Sequence, residues 1–174
     1  VGTIGKAVIR RARSFGMTIL GNDIIEIDHV FLKENNVRMT NLNELLRCSD
    51  FVSLNCDLNP TSRHLMNAHT LACMRPSGVL INTARGPIVE EPALVAALQA
   101  RQIAGAALDV YEHEPLPTSS PLLKMDNVML APHNANSSPA AWERVHFNTL
   151  KNLLEGLGLP TDGLAEAYYQ GDKP

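Results

Sequence analysis

Short apolar runs alternate with amphipathic stretches along this chain, and that alternation limits the folds open to it. Met17 to Gly21, Val37 to Met39, Phe51 to Cys56, Val79 to Ile81, Ile103 to Val110 and Asn127 to Ala131 each read as a strand. Between them lie helical patterns. Lys6 to Arg13, a small piece around Val30, Leu42 to Leu46, Asn67 to Met74 and Glu91 to Arg101 are the shorter ones. A longer one starts near Pro139, with Trp142, Val145, Thr149, Leu153 and Leu157 along one side. Strands that alternate with helices predict an α/β fold with a parallel, doubly wound sheet. Local signals agree. Gly16 suits the C-terminal cap of the first helix. Asn41 can cap Leu42, with Glu44 at the capping-box position.

At 174 residues and 45 % hydrophobic, the chain is expected to form one globular domain over 1–158 and a loosely held tail over 159–174. The formal charge is −3 and no Lys/Arg run exceeds two residues, which argues against nucleic-acid or membrane partners. No apolar stretch of about 18 residues predicts a membrane span, and no signal peptide is expected. Cys48, Cys56 and Cys73 lack CxxC spacing, so reduced thiols in a cytoplasmic protein fit them better than a metal site.

Polar residues cluster where the strands stop. Arg85 follows the strand around Ile81 and precedes Gly86-Pro87; Asp109 and Glu114 follow the next strand; His133 follows the last. In a parallel sheet these ends lie along one edge, where ligands bind in open α/β folds. A guanidinium there can grip a carboxylate through two parallel hydrogen bonds. Each residue also has a plainer use. Arg85 could cover a helix end or pair with a surface acid, Glu114 could be a solvated loop acid, Asp109 could cap a turn, and His133 could bond to backbone. Together, at consecutive strand ends, they are read as a site. Near residue 1, Gly2 and Gly5 fit the second and third glycines of a G-x-G-x-x-G dinucleotide fingerprint, and Asp23 fits its acid. An ordinary glycine turn before a helix, with Asp23 in a turn of its own, is the alternative.

Three stretches, Asn82-Thr83-Ala84-Arg85-Gly86, Gly105 to Tyr111 with Glu114-Pro115, and Ala131-Pro132-His133, resemble the signatures of the D-isomer-specific 2-hydroxyacid dehydrogenases. The resemblance runs from Val1 to about Gly158. It implies a Rossmann-type, dinucleotide-binding domain, with the family's first strand and its separate substrate domain not included. It implies NAD as cofactor, a small 2-keto or 2-hydroxy acid as substrate, and a homodimer. By position, it makes His133 the proton donor, Glu114 its partner and Arg85 the substrate-orienting residue. It places Gly2, Thr3, Ile4 and Gly5 under the pyrophosphate, Asp23 on the ribose, and Thr83, Ala84 and Asp109 near the nicotinamide. The chain departs from the pattern at Asn55 and Asp57, where a His and a Pro are common, and at Asn134 to Ser138, where an apolar residue and glycines are common. The same resemblance includes the C-terminal-binding-protein corepressors, so a dinucleotide sensor without enzyme activity is a rival, as is a truncated chain inactive by itself.

Overall fold

A computed structural model of the chain describes residues 1–162 and Leu164. Most of the tail expected over 159–174 therefore lies outside the described residues. The chain divides into two compact units, Val1–His133 and a second that begins at Asn134.

The first unit alternates as the apolar periodicity predicts. Its elements are α1 (Thr3–Ser14), β1 (Ile19–Gly21), α2 (His29–Glu34), β2 (Val37–Met39), α3 (Leu42–Cys48), β3 (Phe51–Leu54), α4 (Ala68–Ala72), β4 (Val79–Asn82), α5 (Glu91–Gln99), β5 (Gly105–Leu108) and β6 (Val128–Leu130). Every strand pairing is parallel. The strands fall into two sheets, β1-β2 and β3-β4-β5-β6. Each sheet has a core of its own. Ile9, Ile27 and Phe31 pack with Ile19 and Val37 around the smaller one. Leu46, Leu71, Leu80, Leu94, Leu98 and Ile103 are almost wholly buried around the larger.

Several strands are shorter than their apolar runs. Met17 precedes β1, while Asn55 and Cys56 lie past β3 and Asp109 and Val110 past β5. The residues beyond β3 and β5 leave the sheet to begin loops. Gly16 adopts φ 73° just after α1, the left-handed conformation that glycine reaches without a Cβ clash. Asn41 caps α3 by accepting from the Glu44 amide at 2.9 Å. The Glu44 side chain does not reach back, however. It accepts from Arg38 Nη1, on β2, at 2.6 Å and from the Thr40 hydroxyl just before the cap. The reciprocal capping box forms instead at α4, between Asn67 and Thr70.

Register positions the site. Leu54, Asn82, Leu108 and Leu130 stand side by side as the last residues of their strands. The loops that follow them leave from one edge of the four-stranded sheet. Gly86 sets the spacing of two of these loops, because a Cβ there would overlap the Tyr111 carbonyl and crowd the Glu112 nitrogen.

The second unit contains α6 (Pro139–Gly156). Ser138 caps it through the Ala141 amide at 3.2 Å, with Pro139 in the first turn. None of its residues is buried, and Trp142, Val145, Leu153 and Leu157 are exposed. Among the described residues no helix is long and apolar enough to cross a membrane.

The backbone contact at Gly86 carries a test. Gly86→Ala should lower the unfolding free energy by about 3 kcal/mol, because backbone on both sides must move to admit the methyl group. Gly156→Ala, where a Cβ meets nothing within 4 Å, should leave stability unchanged or slightly raised. Chemical denaturation of the two variants beside the parent chain measures both.

Candidate active site

The loop after β4 is built by Asn82, a polar residue at the end of an apolar strand and 1 % exposed. Its Nδ2 donates to the Arg85 carbonyl at 3.0 Å, and its Oδ1 accepts from the Ala84 amide at 3.1 Å. Those bonds hold Thr83, Ala84 and Arg85 in a tight arch, with Thr83 exposed and Ala84 half-buried. The Arg85 side chain is exposed, and its Nη1 donates to the Ala84 carbonyl at 2.6 Å. Among the described residues no carboxylate forms an ion pair with it.

The loop after β5 begins with Asp109, 5 % exposed, whose amide donates to the Asn82 carbonyl at 3.0 Å. Next comes Tyr111, which fastens this loop to the one after β6. Its hydroxyl donates to the Ala131 carbonyl at 2.7 Å and lies 3.3 Å from the Leu108 carbonyl. Burial pushes the Tyr111 hydroxyl above its ordinary pKa, so it stays a donor. Glu114 follows, with Oε1 accepting from the Tyr111 amide at 3.0 Å.

His133 lies in the loop after β6, at φ 55°. Its Nδ1 stands 2.7 Å from Glu114 Oε2. The hydrogen bond from His133 holds the Glu114 carboxyl below the usual carboxylate range. Partial burial opposes this shift, and the Tyr111 amide and the charges of His133 and Arg85 add to it. An ionised Glu114 can only accept, so Nδ1 carries a hydrogen and donates. The second ring nitrogen, Nε2, is then the one left to exchange a proton.

Arg85, Asp109, Glu114 and His133 thus come together at one sheet edge, as their positions after successive strands predict. The residues read as a dinucleotide fingerprint lie at the start of α1 and just past β1, and Gly5 meets the loop after β3. Gly2 caps α1 without a side-chain hydrogen bond, which leaves the first-turn amides of Thr3 and Ile4 facing outward from exposed residues. Gly5, buried in that first turn, is close enough to Asn55 that a Cβ on it would sit 3.7 Å from the Asn55 Cβ. Asn55 directly follows Leu54, the β3 member of the terminal row. Asn55 Oδ1 is buried with no hydrogen-bond partner among the described residues. Asp23 follows β1, with Oδ1 accepting from the amides of Ile24 at 2.7 Å and Ile25 at 3.3 Å, and Oδ2 from the Val1 nitrogen.

Asn82, Tyr111, Glu112 and His64 were not picked out as site residues by sequence reasoning. Asn82 had a local signal, a buried-strand position filled by an amide. The other three act through partners far away in the chain, and nothing adjacent to them marks their contacts.

The chain matches known proteins in sequence and fold. The model of the D-isomer specific 2-hydroxyacid dehydrogenase NAD binding domain matches residues 1–135. A glyoxylate reductase of Korarchaeum cryptofilum is 44 % identical over 154 residues, which is 88 % of this chain and 46 % of that protein. A D-3-phosphoglycerate dehydrogenase of Methanocaldococcus jannaschii is 38 % identical over 159 residues, 90 % of this chain and 30 % of the other. The apo crystal structure of Rhodotorula graminis D-mandelate dehydrogenase superposes with a TM-score of 0.83 at 31 % identity, covering 88 % of this chain and 45 % of that one. The chain spans about half the length, or less, of the relatives it matches.

The Glu114 pairing predicts a pH response with a definite sign. Its folded pKa lies below the ordinary value of 4.5. The pair therefore contributes stability that is fully present above about pH 4.5 and is lost as pH falls through the lower folded value. His133→Asn should move the Glu114 titration up toward 4.5, followed by carboxyl NMR, and should flatten the fall in melting temperature below that pH.

Proposed function

Because the chain belongs to the D-isomer specific 2-hydroxyacid dehydrogenases, carrying their NAD-binding domain, we propose that it serves NAD-dependent interconversion of a small D-2-hydroxy acid and its 2-keto acid. The observation that carries this reading is the 2.7 Å contact of His133 Nδ1 with Glu114 at the edge that also bears Arg85.

The residues present fit a dinucleotide. The open first turn of α1, at Gly2, Thr3, Ile4 and Gly5, offers amides and the positive end of a helix dipole to a pyrophosphate. Asp23 offers a carboxylate to the ribose hydroxyls, and Asn22, Ile24 and Ile25 beside it supply no cation for a 2′-phosphate. Thr83, Ala84 and Asp109 line the edge where the nicotinamide would lie. Bound there, the cofactor supplies or accepts the hydride.

The chain's own residues supply the rest. Arg85 takes the substrate carboxylate in its planar fork and fixes the angle of the adjoining carbonyl. Glu114 is held by the Tyr111 amide, so it fixes the orientation of the His133 ring. His133 then gives the Nε2 proton to the oxygen that gains negative charge during reduction, and takes it back during oxidation. Histidine suits both directions because its ordinary pKa is near ~6.5. The dimer and the cytoplasmic setting that the family resemblance suggests belong to this proposal as well.

Two measurements test it. In titrations, NADH should bind at least about tenfold more tightly than NADPH, a difference of ~1.4 kcal/mol; equal affinities would remove Asp23 from its role. The second uses a chimera in which the chain replaces the matching segment of the Korarchaeum cryptofilum glyoxylate reductase. It should reduce glyoxylate with NADH, and His133→Asn should lower kcat by about 10²–10⁴-fold, the range of general acid catalysis. A chimera that binds NADH and catalyses nothing would favour the dinucleotide sensor.

A further inference from the structure

A second histidine–carboxylate pair lies beside the first. His64 Nε2 stands 2.6 Å from Glu112 Oε1, and Glu112 is two residues from Glu114. The pair touches neither Glu114 nor His133, and the proton transfer described above does not use it. Its contacts lead elsewhere. Glu112 Oε2 accepts from the Glu91 amide at 3.0 Å, and Glu91 Oε2 accepts from the Glu112 amide at 3.3 Å. These two residues, 21 apart, therefore cap each other as the ends of a capping box do. The exchange is needed locally, because Glu90, the N-cap of α5, makes no side-chain cap bond of its own.

The other partner, His64, is pinned to the Arg85 loop by backbone. Its amide donates to the Pro87 carbonyl at 2.9 Å. The bonds Met66 N to Ile88 O and Glu90 N to Met66 O, at 3.1 and 2.8 Å, continue the attachment. His64 sits at φ 51°, a conformation uncommon for a residue with a side chain and one that surrounding contacts must hold. The carboxyl of Glu112 is partly buried, which pushes its pKa up. The hydrogen bonds from His64 and the Glu91 amide, with the charges of His64 and Arg63, more than offset this and keep it below the usual range. On the far side, the close approach of Gly86 to the Tyr111 carbonyl completes the junction.

We propose that Glu112 is a positioning residue that, gripped by His64 and Glu91, sets the loop bearing Glu114 and His133's anchor against the loop bearing Arg85. This rests on the assignment of Glu114 and His133 as the proton-transfer pair. Covalent chain alone does not fix the distance between the two loops. They leave adjacent strands, and Gly86, Asn82 and this brace tie them together.

The test reads the Glu114 carboxyl titration by NMR in the chain and in Glu112→Ala, Glu112→Gln and Glu91→Ala. Sign separates positioning from direct charge. Deleting the negative charge of Glu112 makes Glu114 easier to ionise and moves its titration down. Loosening the loop weakens the His133 contact and moves it up. Glu112→Ala and Glu91→Ala should move it up toward the ordinary 4.5. Glu112→Gln, whose amide oxygen still accepts from the Glu91 amide while the charge is gone, should leave it at or slightly below the parent value. In the glyoxylate reductase chimera, Glu112→Ala should lower kcat by about tenfold or more with NADH affinity unchanged, since small misplacements act on the chemical step. A downward or absent shift in both alanine variants overturns the brace. If Glu112→Ala fails to fold, Glu91→Ala decides alone. If His133→Asn also leaves the Glu114 titration where it was, the proton-transfer pair fails and the brace falls with it; if His133→Asn moves it and the alanine variants do not, the brace alone fails.

Discussion

Parallel pairing puts Leu54, Asn82, Leu108 and Leu130 in one row, and everything proposed for this chain depends on that row. Neighbouring strands lie about 4.8 Å apart, so loops leaving consecutive strands start within reach of one another. Residues separated by decades of sequence, Arg85, Glu114 and His133, need no long excursion to meet. Burial of Leu80, Ala106 and Leu108 beneath them fixes the sheet face. A one-residue slip would exchange that face with the opposite one, so the apolar pattern that makes the core also makes the site.

Above the row, backbone contacts do the fine placement. Asn82 arches one loop, Tyr111 fastens the second to the third through the Ala131 carbonyl, and Gly86 lets the first and second meet without a side chain between them. The charged groups then sit in a fixed frame. An exposed ion pair in water is worth little by itself, and Glu114 and His133 are each more than a third exposed at the side chain. Their value lies in direction: the carboxylate settles which ring nitrogen holds its hydrogen and which is left for exchange.

Much of this was legible before any coordinates. Short apolar runs alternating with stretches of period 3.6 gave away the parallel α/β order, because strands buried on both faces are continuous apolar runs and the helices between them carry apolar stripes. Polar residues directly after such runs marked the edge, so Arg85, Asp109, Glu114 and His133 could be named from position and family signature. Other features were not legible, for physical reasons. Glu44 looked like the second half of a capping box, yet Arg38 and Thr40 compete for its oxygens from outside the helix. Glu112 drew no reading at all; its partners are Glu91 and His64, set by tertiary packing with no local period to announce them. The division of strands between two sheets, each with its own core, is likewise a matter of packing.

The central claim is that Glu114 governs the proton carried by His133. Its most direct test is the rate of glyoxylate reduction by the chimera, with and without Glu114→Gln. The amide preserves the shape of the contact but can also donate to Nδ1, so it no longer dictates which ring nitrogen holds the hydrogen. With Glu114→Gln kcat should fall by at least about tenfold while NADH affinity stays unchanged. If kcat stays where the parent protein has it, Glu114 does not control the proton on His133, and the pair at the sheet edge has another purpose.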